Sequence, residues 1–183
     1  MFINSLERPQ NTGGRQMTNS KEIFQVGDIV FERTDTITSK LIRMRTLSQW
    51  SHVGIIIGRV HGAVKVVSAR RNGVTVDTLR DWGNKVQVLR LDPEVASEYQ
   101  LEQMSKFAIQ QVGKKYDYCG VIDFITMSRH QNDNRWFCSE LVHSAMLSAS
   151  IDIFRKKIPP EFVSPGILYE NPYLTYIAQL GDK

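Results

Sequence analysis

The sequence predicts an α+β fold in which an antiparallel sheet is packed by helices. Three observations carry this prediction: β-branched apolar runs separated by turns between residues 51 and 91, a helical segment from Pro93 to Gly113, and an apolar helical face that begins near Cys138. The chain has 183 residues, of which 42% are hydrophobic and 23% charged. This composition is typical of one globular domain with a substantial core.

The predicted strands share short length and β-branched or alternating composition. They are "VGDIVFER" (26–33), "SHVGIII" (51–57), "AVKVVSA" (63–69), "VTVDTL" (74–79) and "KVQVLRL" (85–91). The continuous apolar run at 51–57 is typical of a central strand that is buried on both faces. Turn residues in "GRVHG" and at Asn72-Gly73 indicate hairpins between neighbouring strands. We therefore predict an antiparallel meander over about residues 51–91.

The predicted helices are indicated by apolar residues at helical spacing. They are "TITSKLIRMRTLSQW" (36–50), the segment from Pro93 to Gly113, "VIDFITMSR" (121–129) and the segment that follows Cys138. Proline near the first turn and glycine just beyond the end favour the second of these. The tail from residue 156 contains four prolines, so we expect extended and turn-rich chain with one short helix at 164–170.

Composition limits the classes of function. The net charge of +4 is scattered along the chain, and the motifs of nucleic-acid binding are absent. Residues 1–22 contain no apolar stretch long enough for a signal peptide or membrane span, so we expect a flexible lead-in, a domain over residues 23–183, no stable membrane insertion and a cytoplasmic location. We expect no cofactor and no metal site, because His and Cys lack ligand spacing. The oligomeric state is left open.

Cys138 in "RWFCSELVHSAM" is a candidate nucleophile. The polar loop before it ends at Arg135, and the helical pattern starts immediately afterwards, so Cys138 is predicted to lie at a helix N-terminus. The positive end of a helix dipole lowers the pKa of a thiol and favours the reactive thiolate. Cys119, the other cysteine, stands between Tyr and Gly without such help, and we expect it to be a buried structural thiol.

Four histidines are candidates for the base that would take the thiol proton. His143 lies five residues along the helix from the cysteine, about 140° around its axis, so we expect it to face elsewhere. His61 falls in a predicted hairpin turn and His130 in a polar loop. His52 starts a predicted strand, where backbone pairing would fix its imidazole. From spacing alone, a catalytic and a purely structural pairing of His52 with Cys138 both remain open.

Several segments together resemble a known family. In chain order they are "GDIVF", "SHVGIIIG", "YDY", "WFCSELV" and "PPEFVSPGILYENPYL", which span about residues 26–176. They resemble the YiiX-like group, a circularly permuted branch of the NlpC-type papain-like cysteine hydrolases. In unpermuted relatives the cysteine precedes the histidine, whereas here His52 comes first. The distant relative lecithin:retinol acyltransferase shares this order and uses it for acyl transfer on lipids.

The resemblance implies a permuted papain-like (NlpC-type) core with Cys138 as the nucleophile and His52 as the general base. The family places an acidic or other polar residue on the strand after the histidine, and Ser68 is the residue at that position here. A serine oxygen can accept the imidazole N–H, but it adds no charge to stabilise an imidazolium. Tyr116 or Tyr118 is expected on the oxyanion side, whereas packing remains the alternative for both. Glu140 is expected to complement the helix dipole.

Three functions remain open at this point. The first is a thiol hydrolase that forms an acyl-enzyme on Cys138 and cleaves an amide bond, such as a γ-glutamyl or peptidoglycan-type peptide. The second is a lipid acyltransferase or thioesterase that uses the same residues on an ester. The third is a catalytically weakened binding module, which Ser68 suggests. The expected partner is accordingly a small peptide or a lipid-like substrate.

Overall fold

A computed structural model describes residues 23–34, 48–83, 85–116, 135–154 and 157–181. Several predictions lie wholly or largely outside these ranges: the lead-in 1–22, most of the helix at 36–50 and all of the helix at 121–129. Cys119, Tyr118 and His130 also fall outside them. The domain boundary at residue 22 stays a prediction.

A six-stranded antiparallel sheet forms the centre of the fold, with the strand order β4-β3-β2-β1-β5-β8. Its strands are β1 (Ile29–Glu32), β2 (His52–Val60), β3 (Ala63–Arg70), β4 (Gly73–Thr78), β5 (Val86–Leu91) and β8 (Leu174–Leu180). Two further short strands, β6 (Lys115–Tyr116) and β7 (Arg135–Trp136), pair in parallel. The predicted α+β class is confirmed.

The path of β5 corrects the predicted meander. β2, β3 and β4 are consecutive neighbours, but β5 pairs with β1 rather than with β4. One edge of β1 is taken by β2, and its other edge is open to β5. The chain therefore crosses from one side of the sheet to the other through a 3-10 turn at Leu79–Asp81 and through Trp82. This crossing brings the Trp82 indole against the His52 ring at the start of β2.

In the described part of the chain, three helices accompany the sheet: α1 (Glu98–Gln110), α2 (Cys138–Ser148) and α3 (Pro165–Tyr169). The prediction that α1 begins near Pro93 is wrong by about one turn. Ser97 accepts a hydrogen bond from the Gln100 N–H, and the Gln100 side chain accepts one from the Ser97 N–H at 3.1 Å. This capping box sets the start of the helix, because it satisfies two donors that a helix end leaves unpaired.

The tail forms more regular structure than expected. The predicted short helix is present as α3, but β8 was missed and only extended chain was predicted there. Leu174 pairs with Leu91 and Tyr176 with Leu89, and the register shifts beyond them, between Leu89 and Val88. The backbone of β5 supplies the hydrogen bonds that stabilise this segment, and Thr175, Tyr176 and Ile177 are residue types that favour strands.

The core lies mainly between one face of the sheet and the helices α1 and α2. Phe31, Ile55, Met104, Leu141 and Met146 are fully buried within it. Each such side chain contributes roughly 1.5–3 kcal/mol by burial. A second cluster, which includes Ile56, Val66 and Trp82, covers the other face. Within the described ranges, no helix has the length and apolar character needed to cross a membrane.

Candidate active site

Cys138 is the first residue of α2, as predicted. The Phe137 N–H donates to Glu140 Oε2 at 3.1 Å, and the first helical bond runs from the Leu141 N–H to the Phe137 carbonyl at 2.9 Å. Glu140 therefore acts at the helix start, as expected for that residue. The N–H groups of Cys138 and Ser139 precede the first helical hydrogen bond and act on the Cys138 sulfur, whose pKa they lower.

The sulfur of Cys138 lies where the sheet opens between β2 and β3. The ladder between these strands begins at the Ile55–Val67 pair and does not extend to Val53. The backbone N–H of Val53 instead acts as a hydrogen-bond donor to the Cys138 thiol. Because β2 and β3 separate here, the start of α2 fits between them. The Val53 N–H is then free of the ladder and can donate to the sulfur.

His52 is the first residue of β2 and lies directly opposite Glu32 of β1. Backbone pairing therefore fixes it as predicted, next to the residue whose N–H contacts the sulfur. Successive side chains of a strand point to opposite faces, so His52 and Val53 diverge. Val53 belongs to the core beneath α2, whereas the His52 ring contacts Trp82 on the other face.

No hydrogen bond joins the two candidate groups. Among the residues that the structure describes, His52 Nε2 has no hydrogen-bond partner and is buried. The Cys138 side chain is also buried, with 1% of its surface exposed. Catalytic hydrogen bonds are often long before substrate binds and shorten in the complex. Because the ring is packed against Trp82, proton transfer here requires such a shift of the sulfur toward the ring.

Burial opposes charge on both groups. It raises the pKa of the Cys138 thiol to about 12, and the N–H groups of Val53 and Ser139 and the cation of Arg70 lower it only in part. Burial also holds the pKa of His52 well below its usual range, and the positive charge of Arg70 lowers it further. The expectation that the helix end makes this thiol acidic is therefore wrong, because desolvation outweighs the helix donors. Both groups are neutral near pH 7.

Ser68 does not hydrogen-bond the histidine. It lies on β3 just beyond the Val67–Ile55 pair and shares the sheet face of His52, but its buried Oγ has no partner among the described residues. Diagonal neighbours on adjacent strands are about 7–8 Å apart, a separation that long side chains span and serine does not. The interaction for which Ser68 was considered is therefore absent from this structure.

Sequence reasoning missed three residues that surround His52. The ring centroid of Trp82 lies 5.1 Å from that of His52. Arg70 lies over the same indole at 4.6 Å, and its Nη2 donates to Glu32 Oε2 at 2.8 Å. One available signal was the alternation in "VFE", which places Glu32 on the same face as Val30, away from the helices.

The two aromatic residues before Cys138 pack into the fold. Phe137 is buried in the core, and Trp136 packs edge-on against Phe107 at 6.1 Å. Tyr116 pairs with Trp136 through β6 and β7, so its backbone runs beside the chain that leads into Cys138. A role for Tyr116 on the oxyanion side stays a prediction, and Tyr118 lies outside the described residues.

The remaining described histidines are separate from this site. His61 stands in the β2–β3 turn, exposed and with a φ of 49°. His143 faces Phe154 at 5.0 Å rather than the sulfur, as its position on the helix predicts. Its ring is buried, and neither nitrogen has a partner in the described part of the chain. Burial lowers the pKa of His143, while Asp152 acts in the opposite direction.

Comparison with known proteins agrees with this architecture. The sequence model of a family described as permuted papain-like amidases, YaeF/YiiX, C92, matches residues 23–164. "Uncharacterized protein YiiX" of Escherichia coli strain K12 is 25% identical over 186 residues, covering 85% of this chain and 86% of that protein. The crystal structure of metalloprotein yiiX from Escherichia coli O157:H7 is similar with a TM-score of 0.68 and 25% identity, over 86% of this chain and 98% of that chain.

The word metalloprotein describes that relative, and we tested whether this chain has a corresponding set of ligands. Within the described ranges, no three His, Cys, Asp or Glu side chains are grouped closely enough to hold a metal ion. The carboxylate beside His52 is that of Glu32, and both of its oxygens are already engaged by Arg70 and the Gly83 N–H. The described residues therefore do not fit a metal, and no step below uses one.

Proposed function

Since the chain belongs to the C92 family of permuted papain-like amidases, we propose that it is a cysteine amidase with Cys138 as nucleophile and His52 as general base. One observation carries the assignment of these residues: the sulfur at the start of α2 receives the N–H of Val53, the neighbour of His52 on β2. The nucleophile and the base thus come to the same end of one strand although they are far apart in sequence.

The neutral state of both groups determines the first step. The His52 imidazole takes the thiol proton as the sulfur adds to the carbonyl carbon of the amide, so free thiolate need not accumulate beforehand. The carbonyl oxygen becomes an oxyanion. Collapse of this intermediate breaks the C–N bond, and the imidazolium returns its proton to the leaving amine. The acyl group then remains on Cys138 as a thioester.

Hydrolysis of the thioester completes the cycle. The imidazole accepts a proton from a water molecule, which adds to the thioester carbonyl; collapse then releases a carboxylic acid and restores the thiol. The N–H groups at the start of α2, those of Cys138 and Ser139, would stabilise the oxyanion in both halves of the reaction. Loss of one such donor in other hydrolases costs about 10²–10³ in kcat.

The substrate we propose is a small peptide with an amide such as a γ-glutamyl or peptidoglycan-type bond. A second candidate function is a weakened binding module of the same fold. It is favoured by the protonated thiol and by the Oγ of Ser68, which has no partner in the part of the chain that the structure describes. For this candidate, Ser68→Glu would introduce a carboxylate long enough to approach the imidazole and would increase turnover.

The test measures turnover and the adduct on the protein together. γ-Glutamyl-p-nitroanilide, a synthetic peptidoglycan stem tripeptide and phosphatidylcholine vesicles are each incubated with wild type, Cys138→Ser, His52→Ala and the control His61→Ala. We expect amine release from an amide substrate and an acyl adduct on Cys138. His52→Ala should lose about 10²–10⁴ in rate. The turn variant His61→Ala should retain the wild-type rate.

Three outcomes would overturn the proposal. A long-chain acyl adduct from the vesicles without cleavage of either amide substrate would assign the protein to lipid acyl transfer or thioester hydrolysis. Binding of the peptide without turnover, followed by turnover in Ser68→Glu, would assign it to the weakened module. Amide cleavage that survives Cys138→Ser would reject the thiol mechanism.

A further inference from the structure

Within the described residues, no hydrogen bond from Nε2 orients the His52 imidazole. Its Nε2 is unpaired among the described residues, and the serine at the expected third position does not reach it. A catalytic base must nevertheless keep one orientation, because proton transfer depends on distance and angle. The neighbours that the ring does have are therefore the candidates for holding it.

Trp82 contacts both the histidine and a cation. Its ring centroid lies 5.1 Å from the His52 ring at an interplanar angle of 40°, and the Arg70 guanidinium carbon lies 4.6 Å from the indole. The indole is itself fixed, with 6% of the residue exposed. Its Cη2 would lie 2.9 Å from a Cβ placed on Gly54, so it covers the backbone between His52 and Ser68. The indole thus lies over this part of the sheet face, beside the position where the family places a polar residue.

Glu32 connects Arg70 with the backbone next to Trp82. It lies opposite His52 in the β1–β2 register, and its Oε2 accepts from Arg70 Nη2 at 2.8 Å. Its Oε1 accepts the N–H of Gly83, the residue after Trp82, at 2.5 Å. The carboxylate is almost fully buried, so the ion pair is little screened by water. The salt bridge spans from β1 to β3 across the end of β2 that carries the histidine.

We propose that Glu32, Arg70 and Trp82 form a clamp that positions the His52 imidazole and takes the place of an orienting carboxylate. The three are positioning residues, since they act through His52 rather than on the substrate. The inference rests on the proposed function in that positioning matters only if His52 is the base. It goes beyond the proposed function because it assigns the orientation of that base to the Arg70 cation and the Trp82 indole. In the family, a polar or acidic residue would have this role.

The clamp has an electrostatic consequence opposite to that of a carboxylate. The charged groups around the ring within the described ranges are Glu32 on β1, Arg70 on β3 and Asp77 on β4, which accepts from Arg70 Nε at 3.3 Å. The thiol of Cys138 approaches from α2. Arg70 is the charged group whose effect on the ring is resolved: its positive charge lowers the pKa of His52, in the same direction as burial. The clamp therefore favours the neutral imidazole, the form that can accept a proton.

The first measurement is the titration of the His52 ring by NMR in the full-length protein without substrate. Arg70→Met should move its midpoint to higher pH, because the repelling cation is gone. Arg70→Lys keeps the charge and should restore the wild-type midpoint. Arg71→Met removes the next cation along the chain, whose side chain is exposed, and is the matched control. An Arg70→Met midpoint equal to that of the control would overturn the electrostatic part.

The second measurement separates positioning from stability. With any amide substrate that wild type cleaves, Trp82→Leu should lower kcat by about 10²-fold with KM nearly unchanged, as expected for a displaced base. Trp82→Phe keeps an aromatic face and should recover most of that loss. An equal loss of kcat in both variants, or a change in KM with kcat unchanged, would overturn the positioning role.

The two measurements also distinguish this inference from the proposed function. The NMR midpoint needs no turnover, so a shift in Arg70→Met together with an inactive wild type would support the electrostatic half and reject the amidase. Turnover that depends on Cys138 and His52 but is unaffected by Trp82→Leu would support the amidase and reject the clamp. Thermal unfolding of each variant verifies that it is folded at the assay temperature.

Discussion

The backbone N–H of Val53 donates to the thiol of Cys138 at the point where β2 and β3 part. In a regular antiparallel ladder this N–H would bond to the neighbouring strand. Here β2 makes no ladder hydrogen bond to β3 at this position, and the Val53 N–H donates to the sulfur instead. The donor lowers the thiol pKa, as do the helix N-terminus and Arg70, but all three together do not overcome burial. The site therefore holds a protonated thiol in its resting state.

Alkylation of Cys138 should reflect this protonated state. Because burial raises the thiol pKa to about 12, we expect the rate with iodoacetamide to be slow at pH 7 and to keep rising through pH 9–10. The measurement is the second-order rate constant at each pH, read by peptide mass spectrometry so that labelling at Cys119 serves as an internal reference. Rapid modification with a plateau below pH 7 would contradict the burial of the thiol.

The fold and part of the site could be predicted from local sequence patterns. The β-branched run after Ser51 gave the central strand, and the pattern after Arg135 placed Cys138 at a helix start. Both are properties of residues that are adjacent in sequence. The joining of β5 to β1 was not predictable in this way, because the choice of a strand's neighbour depends on which edges remain open in three dimensions.

The surroundings of His52 were missed for the same reason. Glu32, Arg70 and Trp82 are separated by 38 and 12 residues along the chain, and only the crossing between β4 and β5 brings the indole over the histidine. The direction of the shift in the Cys138 pKa was predicted wrongly, because the burial of the thiol cannot be inferred from a helix-start pattern. A helix dipole acts from sequence-local structure, whereas desolvation is set by everything packed around the sulfur.

His143 should make the protein sensitive to acid. Burial lowers its pKa in the folded state, so the folded protein binds fewer protons than the unfolded chain at low pH. The resulting stability is present above the unfolded value near 6.5 and is lost as pH falls through the lower folded value, by about 1.4 kcal/mol for each unit of separation. His143→Leu removes both unpaired nitrogens and should lose less stability between pH 8 and pH 5 than wild type does.

Urea unfolding at the two pH values measures this effect. The control is His61→Asn, which removes an exposed turn histidine and tolerates its positive φ. The control should follow the wild-type pH dependence. An identical fall in stability for His143→Leu and wild type would assign the acid sensitivity to other groups, of which His52 is the first to consider because burial also lowers its pKa.

Gly54→Ala should disturb the sheet face beneath Trp82. A Cβ at this position would lie 2.8 Å from the Val67 carbonyl oxygen and 2.9 Å from both Trp82 Cη2 and Val66 Cγ1. One of these contacts is to backbone and cannot move freely, so we expect a loss of about 1–3 kcal/mol in the free energy of unfolding. Gly62→Ala is the comparison, because its Cβ would meet nothing within 4 Å and only its φ of +81° is strained. A smaller loss in Gly54→Ala than in Gly62→Ala would show that the face is not tightly packed.

Ser68→Ala tests whether the serine contributes to catalysis at all. Its Oγ is buried and unpaired among the described residues, and an unpaired buried hydroxyl is destabilising. We therefore expect the variant to be as stable as wild type or slightly more so, with unchanged kcat and an unchanged pH profile. The measurements are urea unfolding and turnover of whichever amide substrate the wild type cleaves. A drop in kcat of tenfold or more, with stability preserved, would mean that the serine hydroxyl reaches the imidazole once substrate is bound. The clamp alone would then not explain how His52 is held.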